Sequence, residues 1–191
     1  MVNGTRLKIR HAFLKYASKH PAPTRVTIAD IAEEAKISIQ AIYRKHYSSV
    51  EEIIEDIHSS VASDVELILA KHNPDTTHPL TVISEALLPA AYKHRDTLRV
   101  MNKTYIAPSW NRFVEECFET WFSPYLEPHL KPVAVSKEFM IDVILKQIRI
   151  FVACWLSEKV PQPPEVFEET FMKLLSNSIC DILECKVNKG F

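Results

Sequence analysis

Glycine is almost absent from this sequence, and its absence restricts the possible folds. The chain has 191 residues and only two glycines, Gly4 and Gly190, one near each end. Loops that cradle phosphates and tight hairpin turns both need glycine inside the chain, where the backbone approaches a ligand or takes a positive φ. The sequence therefore argues against nucleotide-binding α/β folds and hairpin-rich β folds, and it favours helices joined by proline-marked loops.

Paired cysteines and long apolar runs are missing as well. None of the four cysteines belongs to a Cys-x-x-Cys pair, which argues against zinc ribbons and thioredoxin-like motifs. The longest apolar segment, 148–156, is interrupted by Arg149 and is too short to span a bilayer. Residues 1–10 are polar and basic, unlike a signal peptide. We therefore expect a cytoplasmic protein with reduced thiols and no membrane partner.

Signatures of catalysis are also lacking. The chain contains no Gly-x-Ser-x-Gly elbow, no Walker loop and no His-Glu-x-x-His helix. Its eight histidines show no paired ligand spacing on one helix. We therefore predict no catalytic residues, no cofactor and no metal site. An enzyme whose Cys and His residues meet only in space is the distant alternative that this pattern leaves open.

Charge is unevenly distributed along the chain. Residues 1–50 carry nine Lys and Arg against three Asp and Glu, a net charge of +6. The remaining 141 residues carry fourteen against twenty-one, a net charge of −7. A basic segment joined to a mildly acidic one is typical of a head that faces a polyanion, although ordinary surface variation is an alternative explanation.

The first fifty residues predict three short helices. Apolar side chains recur at helical spacing over Thr5–Lys19, and the prolines that follow residue 20 end this helix. Thr27 and Asp30 form a capping box at the start of a second helix. Ser38 can cap a third helix that runs to about Lys45. Two short helices joined by about three residues make a helix-turn-helix, whose second member enters the DNA major groove.

The third predicted helix has a polar outward face. Ala41 and Ile42 are its apolar positions. Glutamine can read adenine through two hydrogen bonds, and arginine or lysine can hold guanine edges or phosphates. We therefore interpret this segment as a recognition helix for double-stranded DNA. Its outward-facing residues are Ile39, Gln40, Tyr43, Arg44 and Lys45.

The rest of the chain predicts a helical bundle. The last two helices, about 136–158 and 164–186, each carry more than one apolar face, which predicts a homodimer through an intermolecular four-helix bundle. We expect an all-α fold of about nine helices: a three-helix helix-turn-helix head plus a C-terminal bundle. The expected domains are 1–50 for DNA binding, with the start of the fourth helix to about 57, and 51–191 for dimerisation. A resemblance of residues 27–54 to a known family adds effector binding to the second domain.

Residues 27–54 resemble the signature of the TetR family of transcriptional regulators. The matching features are the Thr-x-x-Asp-Ile-Ala opening at Thr27, the serine cap at Ser38, the Ile-Tyr pair ending at Tyr43, and an aromatic-x-Ser-x-Glu-Glu sequence from Tyr47. The match covers about 5–57. The rest of the chain agrees with the family in the number of predicted helices and in the two C-terminal helices that form the dimer.

The resemblance implies a homodimer whose heads bind a palindromic operator and whose bodies each hold an effector pocket. We therefore expect a sequence-specific repressor that is released from DNA by a small apolar or amphipathic effector. The alternative is a regulator, or an activator, that is controlled by a protein partner without such an effector. The expected DNA-binding residues are Thr27, Ser38, Ile39, Gln40, Ala41, Tyr43, Arg44 and Lys45, with Thr27, Ser38 and Tyr43 assigned to phosphates and Gln40 to a base edge.

Three residues depart from the family's pattern. Lys36 stands where the family usually has glycine, so we expect a left-handed backbone at or near it. His46 lengthens the segment from Tyr43 to Tyr47 by one residue. Val50 replaces a lysine that commonly meets a DNA phosphate, so that contact is lost or taken over by a neighbour.

An aromatic set in the second half of the chain is the candidate lining of an effector pocket. Ligand pockets are mostly apolar with a few polar anchors. Aromatic residues at helical spacing are also what a plain core contains, so both interpretations stand. The candidate pocket residues are Tyr105, Trp110, Phe113, Cys117, Trp121 and Trp155.

Overall fold

Helices make up the regular structure of the described residues. The structure is a computed structural model that describes residues 2–20, 25–73, 75–104, 107–131 and 134–177. Over these ranges there is no strand, and there are nine helices when one with a π-helical middle is counted once, which confirms the predicted all-α class. They are α1 (Val2–Lys19), α2 (Ile28–Ala35), α3 (Ile39–Lys45), α4 (Val50–Leu69), α5 (Pro79–Val82, Ile83–Leu87 and Leu88–Lys93), α6 (Arg95–Lys103), α7 (Ala107–Leu126), α8 (Lys137–Ser157) and α9 (Pro164–Ser176).

Side-chain caps fix where several helices begin. The Thr27 hydroxyl accepts the Asp30 backbone N–H at 3.3 Å, and the Asp30 carboxylate accepts the Thr27 N–H at 2.8 Å, which is the predicted capping box. Ser38 and Ser49 each accept the backbone N–H three residues on, both at 3.2 Å, at the starts of α3 and α4. Ser136 caps α8 in the same way at 3.1 Å. These bonds satisfy N–H groups that the helices themselves leave unpaired.

A left-handed turn at Lys36 ends α2. Lys36 has φ 52° and ψ 49°, and it is the one non-glycine residue with a positive φ among the described residues. The Ile37 N–H donates to the Ala32 carbonyl at 3.0 Å, and the Lys36 N–H donates to the Glu33 carbonyl at 3.1 Å. This is a Schellman motif, which usually has glycine at the left-handed position. The expected backbone conformation at Lys36 is confirmed.

One continuous set of buried side chains joins the head to the rest of the molecule. The predicted apolar stripes of α1, α2 and α4 are buried, and the same cluster continues through α5, α7, α8 and α9. Burial of such side chains is the main favourable contribution to folding. The largest fully buried members are Tyr47, Phe13, Phe122, Phe171, Ile9, Ile31, Ile42 and Ile53.

The pitch of α5 changes just before Pro89. Ile83–Leu87 is π-helical, and the Leu88 N–H donates to the carbonyl of Ile83, five residues earlier. Proline has no N–H, and its ring clashes with the carbonyl four residues before it, here that of Glu85. A π-helical widening relieves that conflict. The helix therefore accommodates Pro89 by this local change of pitch.

The last helix ends earlier than predicted. The sequence predicts one helix over 164–186, but α9 ends at Ser176 and Asn177 has extended backbone, with φ −97° and ψ 144°. The Ser176 hydroxyl donates to the Met172 carbonyl at 2.8 Å. Serine and asparagine side chains offer the backbone alternatives to helical bonding, which explains an end at this point. Residues 178–191 lie outside the described residues, so the predicted second half of the helix stays a prediction.

Other helix ends follow the sequence more closely. α4 ends at Leu69, and α7 continues through Pro124 to Leu126 before a 3₁₀ turn. Pro124 has no N–H to donate to the Thr120 carbonyl, so that backbone bond is absent near the end of the helix. Among the described helices, none combines the length and the apolarity that crossing a membrane requires.

Replacing Lys36 with glycine is expected to stabilise the fold. Glycine takes a positive φ without steric cost, so Lys36→Gly should raise the free energy of unfolding by about 1 kcal/mol. Thermal unfolding should show this as a rise in Tm of about 2–4 °C. Lys8, which is exposed inside α1, is the matched control, because Lys8→Gly should destabilise by a similar amount. Equal effects of the two substitutions would contradict the strain at Lys36.

Candidate nucleic-acid interface and ligand cavity

The third helix presents a polar face to solvent. Ile42 is fully buried, Ala41 is half-buried, and the side chains predicted to face outward are exposed. Even its two large apolar members are open to solvent, since Ile39 is 44% and Tyr43 is 53% exposed. The exposed set is Ile39, Gln40, Tyr43, Arg44 and Lys45. The predicted orientation of this recognition face is confirmed, whereas the DNA contacts of its residues stay predictions.

The two capping hydroxyls differ in what they can offer a phosphate. The Thr27 hydroxyl donates to the Asp30 carboxylate at 2.6 Å, and this bond lowers the pKa of Asp30. The Thr27 N–H is committed to the same carboxylate. Ser38 accepts the Ala41 N–H, which leaves its O–H proton free to donate to another group. Ser38 can therefore meet a phosphate in this conformation, whereas Thr27 must first give up a bond to Asp30.

A buried tyrosine holds the end of the recognition helix against two other helices. Tyr47 follows α3, is 1% exposed, and donates its hydroxyl proton to Asp56 of α4. The Arg6 guanidinium of α1 stacks over the Tyr47 ring at 4.5 Å, and Arg10 lies 3.7 Å from the Asp56 carboxylate. Burial and the Asp56 bond raise the pKa of Tyr47 to about 12. We call Arg6, Arg10, Tyr47 and Asp56 the Tyr47 anchor.

The Tyr47 anchor was not predicted from the sequence. Its one available signal was the tyrosine itself, because a phenol that becomes buried needs a hydrogen-bond partner. The partners of Tyr47 lie on helices that only the fold brings together.

Two of the departures from the family pattern have clear structural outcomes. The His46 N–H donates to the Ile42 carbonyl at 3.0 Å and closes α3. Val50 is 8% exposed and belongs to the core, so it offers nothing to a phosphate. Arg25 forms an ion pair with Glu51 in the first turn of α4. The structure therefore places a different basic side chain, which the sequence did not indicate, beside the start of that helix.

A small apolar cavity lies among helices α4 to α8. Its volume is about 70 Å³. Four of the six predicted pocket residues line it: Trp110, Phe113, Cys117 and Trp121. Val61 and Val65 of α4 line it as well. Among the described residues around it, Asn102 and Arg149 add an amide and a charge that were not predicted. A helical pattern reveals apolar spacing but does not show which polar side chain the fold turns inward.

Trp155 is not among the residues that line this cavity. Trp155 is 2% exposed, stacks on Phe167 of α9 at 4.4 Å, and donates its indole N–H to the Gln162 carbonyl at 3.0 Å. It also lies 5.8 Å from the Tyr92 ring of α5. Its assignment to the pocket is corrected to the packing between α5, α8 and α9, as expected for an aromatic residue whose polar atom is satisfied. Tyr105 lies outside the described residues.

A buried histidine of α4 lies one aromatic layer away from the cavity. His58 is 8% exposed and stacks on Phe113 with ring centroids 4.6 Å apart, and the Trp110 ring is 5.3 Å away. Among the described residues its buried Nε2 has no hydrogen-bond partner. Burial lowers the pKa of His58. The histidine therefore behaves as part of the aromatic wall and is neutral at physiological pH.

The cavity cysteine is unreactive. Burial, with a smaller contribution from the nearby Glu66 carboxylate, raises the pKa of Cys117 to about 11. Nucleophilic attack and metal binding both need the thiolate, which is scarce at neutral pH when the pKa is this high. Cys117 therefore contributes an apolar surface to the cavity and no chemistry.

The chain resembles a solved regulator structure. No protein-family model matches the sequence, and no curated protein matches it. The crystal structure of a TetR transcriptional regulator from Streptococcus agalactiae 2603V superposes with a TM-score of 0.65 and 14% sequence identity. The match covers 92% of this chain and 96% of that chain. The chain therefore has the fold of that TetR regulator, which confirms the resemblance seen in the sequence at the level of the fold.

Acid should destabilise the protein through His58. The folded state holds His58 neutral, whereas the unfolded chain binds a proton below about pH 6.5, so stability is lost as the pH falls through that value. His58→Phe keeps an aromatic ring and removes this loss. Urea unfolding at about pH 7.5 and 5.5 should show a smaller loss of stability in His58→Phe than in the wild type. Replacement of the exposed His11 by Phe is the control, and equal pH dependence in the two variants would refute the role of His58.

Proposed function

We propose that the protein is a DNA-binding transcriptional regulator whose α3 reads the major groove. The observation that carries the proposal is the recognition face: a short helix with a buried apolar side and an exposed side that offers glutamine, tyrosine, arginine and lysine. A helix of this kind, preceded by a helix and a tight turn, is the reading element of helix-turn-helix proteins. The fold shared with a TetR transcriptional regulator supports the proposal. Residues 1–50 serve DNA binding in this scheme, and 51–191 serve dimerisation and regulation.

Each exposed side chain has a role that follows from its chemistry. Gln40 lies in the first turn of α3, the end from which recognition helices reach base edges, and its amide can bond adenine twice. Tyr43 and Ser38 donate to phosphates. Arg44 and Lys45, in the last turn, hold phosphates or guanine edges.

Arg25 takes over the phosphate contact that Val50 lacks. The Arg25 side chain is 74% exposed, and its partner Glu51 is 57% exposed. An exposed ion pair of this kind contributes little to stability, so the guanidinium is free to turn towards a phosphate.

A homodimer presents the recognition face twice. Phe139, Val143 and Ile150 of α8 are 54%, 40% and 49% exposed, and Cys154 of the same helix is exposed too. At about 100° per residue these four positions fall within about 60° of one another on the helix. Val166 of α9 is 56% exposed. We therefore place the dimer interface on α8 and α9, which gives the two heads the twofold symmetry of a palindromic operator.

An effector in the cavity releases the operator in this scheme. α4 supports that part of the proposal, because Asp56 near its start belongs to the Tyr47 anchor and its Val61 and Val65 line the cavity. A ligand that displaces the part of α4 that lines the cavity also changes the position of the recognition helix. Such a protein acts as a repressor.

Substitutions on the recognition face should separate specificity from affinity. Gln40→Ala should remove about 1–3 kcal/mol of preference for one base pair, because the bidentate contact is lost. Lys45→Ala should weaken binding to all duplexes alike and lower the slope of log K against log salt by about 1. Fluorescence anisotropy with duplexes selected from a random pool measures both. Equal affinity of the wild type for selected and random duplexes at physiological salt would overturn the proposal.

Charge on the apolar stripe of α8 should dissociate the dimer. The double substitution Val143→Glu and Ile150→Glu places two carboxylates in a surface that a partner must desolvate, so we expect a monomer at micromolar concentration. Light scattering coupled to size exclusion measures the mass of each form. Leu67→Glu is the matched control, because Leu67 is 67% exposed on α4 and lies outside the proposed interface. A wild-type monomer, or a double variant that remains dimeric, would place the interface elsewhere.

A further inference from the structure

The charged side chain of Arg149 at the apolar cavity indicates which class of ligand the cavity binds. The walls of the cavity are aliphatic and aromatic except for Asn102, Arg149 and the neutral thiol of Cys117, among the residues that the structure describes there. A guanidinium beside an apolar cavity is costly unless its N–H groups are paired. A guanidinium at the edge of such a cavity can also donate to a ligand that supplies an acceptor.

The contacts of Arg149 leave N–H donors for such a ligand. Its Nη1 donates to the Asn111 carboxamide oxygen at 3.0 Å, and its Nη2 lies 3.6 Å from the Glu115 carboxylate. Its Nε is buried and has no partner among the described residues. Asn111 and Glu115 lie one turn apart on α7, so they fix the guanidinium from that side. A guanidinium has five N–H groups, and Asn111 and Glu115 face only two of its nitrogens, so a bound acceptor finds unpaired N–H donors on Arg149.

Arg149 also lies on the boundary between the cavity and the surface. The same side chain lines an outer groove between α7 and α8, together with Glu115, Glu138, Asp142 and Lys146. The carboxylates of this groove attract cations at the surface. Inside the cavity, Arg149 is the charged group among the described lining residues and repels cations. The position of Arg149 therefore selects against a cationic ligand in the cavity itself.

We propose that the cavity binds a compact monoanion with a short apolar body, such as a short-chain carboxylate, and that Arg149 recognises its anionic group. A second negative charge would lack a partner in this apolar space, which excludes dianions. The cavity volume of about 70 Å³ is less than half of the roughly 150 Å³ that holds a benzene molecule, so the apolar part is small. This inference rests on the proposed function only in treating the ligand as an effector.

Thermal unfolding of the full chain with three matched probes tests the charge preference. Butanoate, butanamide and butylamine differ mainly in the polar group, and all are used at equal ionic strength. Butanoate at ten times its Kd should raise Tm by about 3–6 °C, because it binds only the folded state. Butylamine should give no rise, and butanamide a smaller one. Trp110 and Trp121 line the cavity, so tryptophan fluorescence provides a second readout.

Substitution of Arg149 tests which residue is responsible. Arg149→Met should weaken butanoate binding at least tenfold and abolish the preference for butanoate over butanamide. Arg112→Met removes an exposed charge of α7 that lines a different groove, and it should leave binding unchanged. Ala153→Leu fills the cavity while leaving Arg149 in place, so it should also abolish binding. This variant keeps the proposal testable if Arg149→Met fails to fold.

Several results would overturn the inference. They are a butylamine or butanamide response equal to that of butanoate, an Arg149→Met or Ala153→Leu variant that binds butanoate like the wild type, and no shift up to about 10 mM butanoate. All are measured without DNA, so they are independent of DNA binding. Butanoate binding that leaves operator affinity unchanged would support the cavity assignment and refute its role as an effector site.

Discussion

The bond from the Tyr47 hydroxyl to the Asp56 carboxylate ties the C-terminal end of α3, the proposed recognition helix, to α4. α3 has only seven residues, too few for a helix to persist by its own hydrogen bonds, so its position depends on tertiary contacts, those of the buried side chain of Ile42 and those of Tyr47 just beyond its last turn. A phenol that is 1% exposed needs its partner, and the carboxylate in turn needs positive charge nearby, which Arg10 provides. The orientation of this short helix is thus fixed by the buried Ile42 together with a partly buried polar network at its C-terminal end.

α4 extends the influence of this network into the second half of the molecule. Its 20 residues span about 30 Å, and the part from its cap at Ser49 to the walls of the cavity at Val61 and Val65 covers about 18–24 Å. His58 lies between these points and packs on Phe113, which belongs to the cavity wall. A single helix therefore touches both proposed sites. Physical continuity of this kind permits coupling, and coupling requires that the helix have two arrangements that DNA and ligand favour unequally.

The local rules of helix formation made much of this fold predictable. The capping box of Thr27, the cap at Ser38 and the left-handed backbone of Lys36 depend on residues close in sequence, and all three are present. Trp155 was wrongly assigned to the pocket and Arg149 was not predicted there, because the surroundings of both residues come from helices far apart in sequence. A tryptophan at helical spacing packs on whichever helix the fold brings near, here α9, and spacing alone does not name that helix.

The two faces of α8 connect the cavity to the proposed dimer. Arg149 and Ala153 face the cavity, whereas Phe139 and Ile150 form part of the exposed stripe. At about 100° per residue the two sets lie on adjacent sides of the same helix. A ligand that pulls on Arg149 turns or shifts α8, and in the proposed dimer such a shift moves one protomer against the other. Ligand binding in the cavity would then change the distance between the two heads by two routes, through the dimer interface and through α4. An operator with fixed half-site spacing is sensitive to that distance.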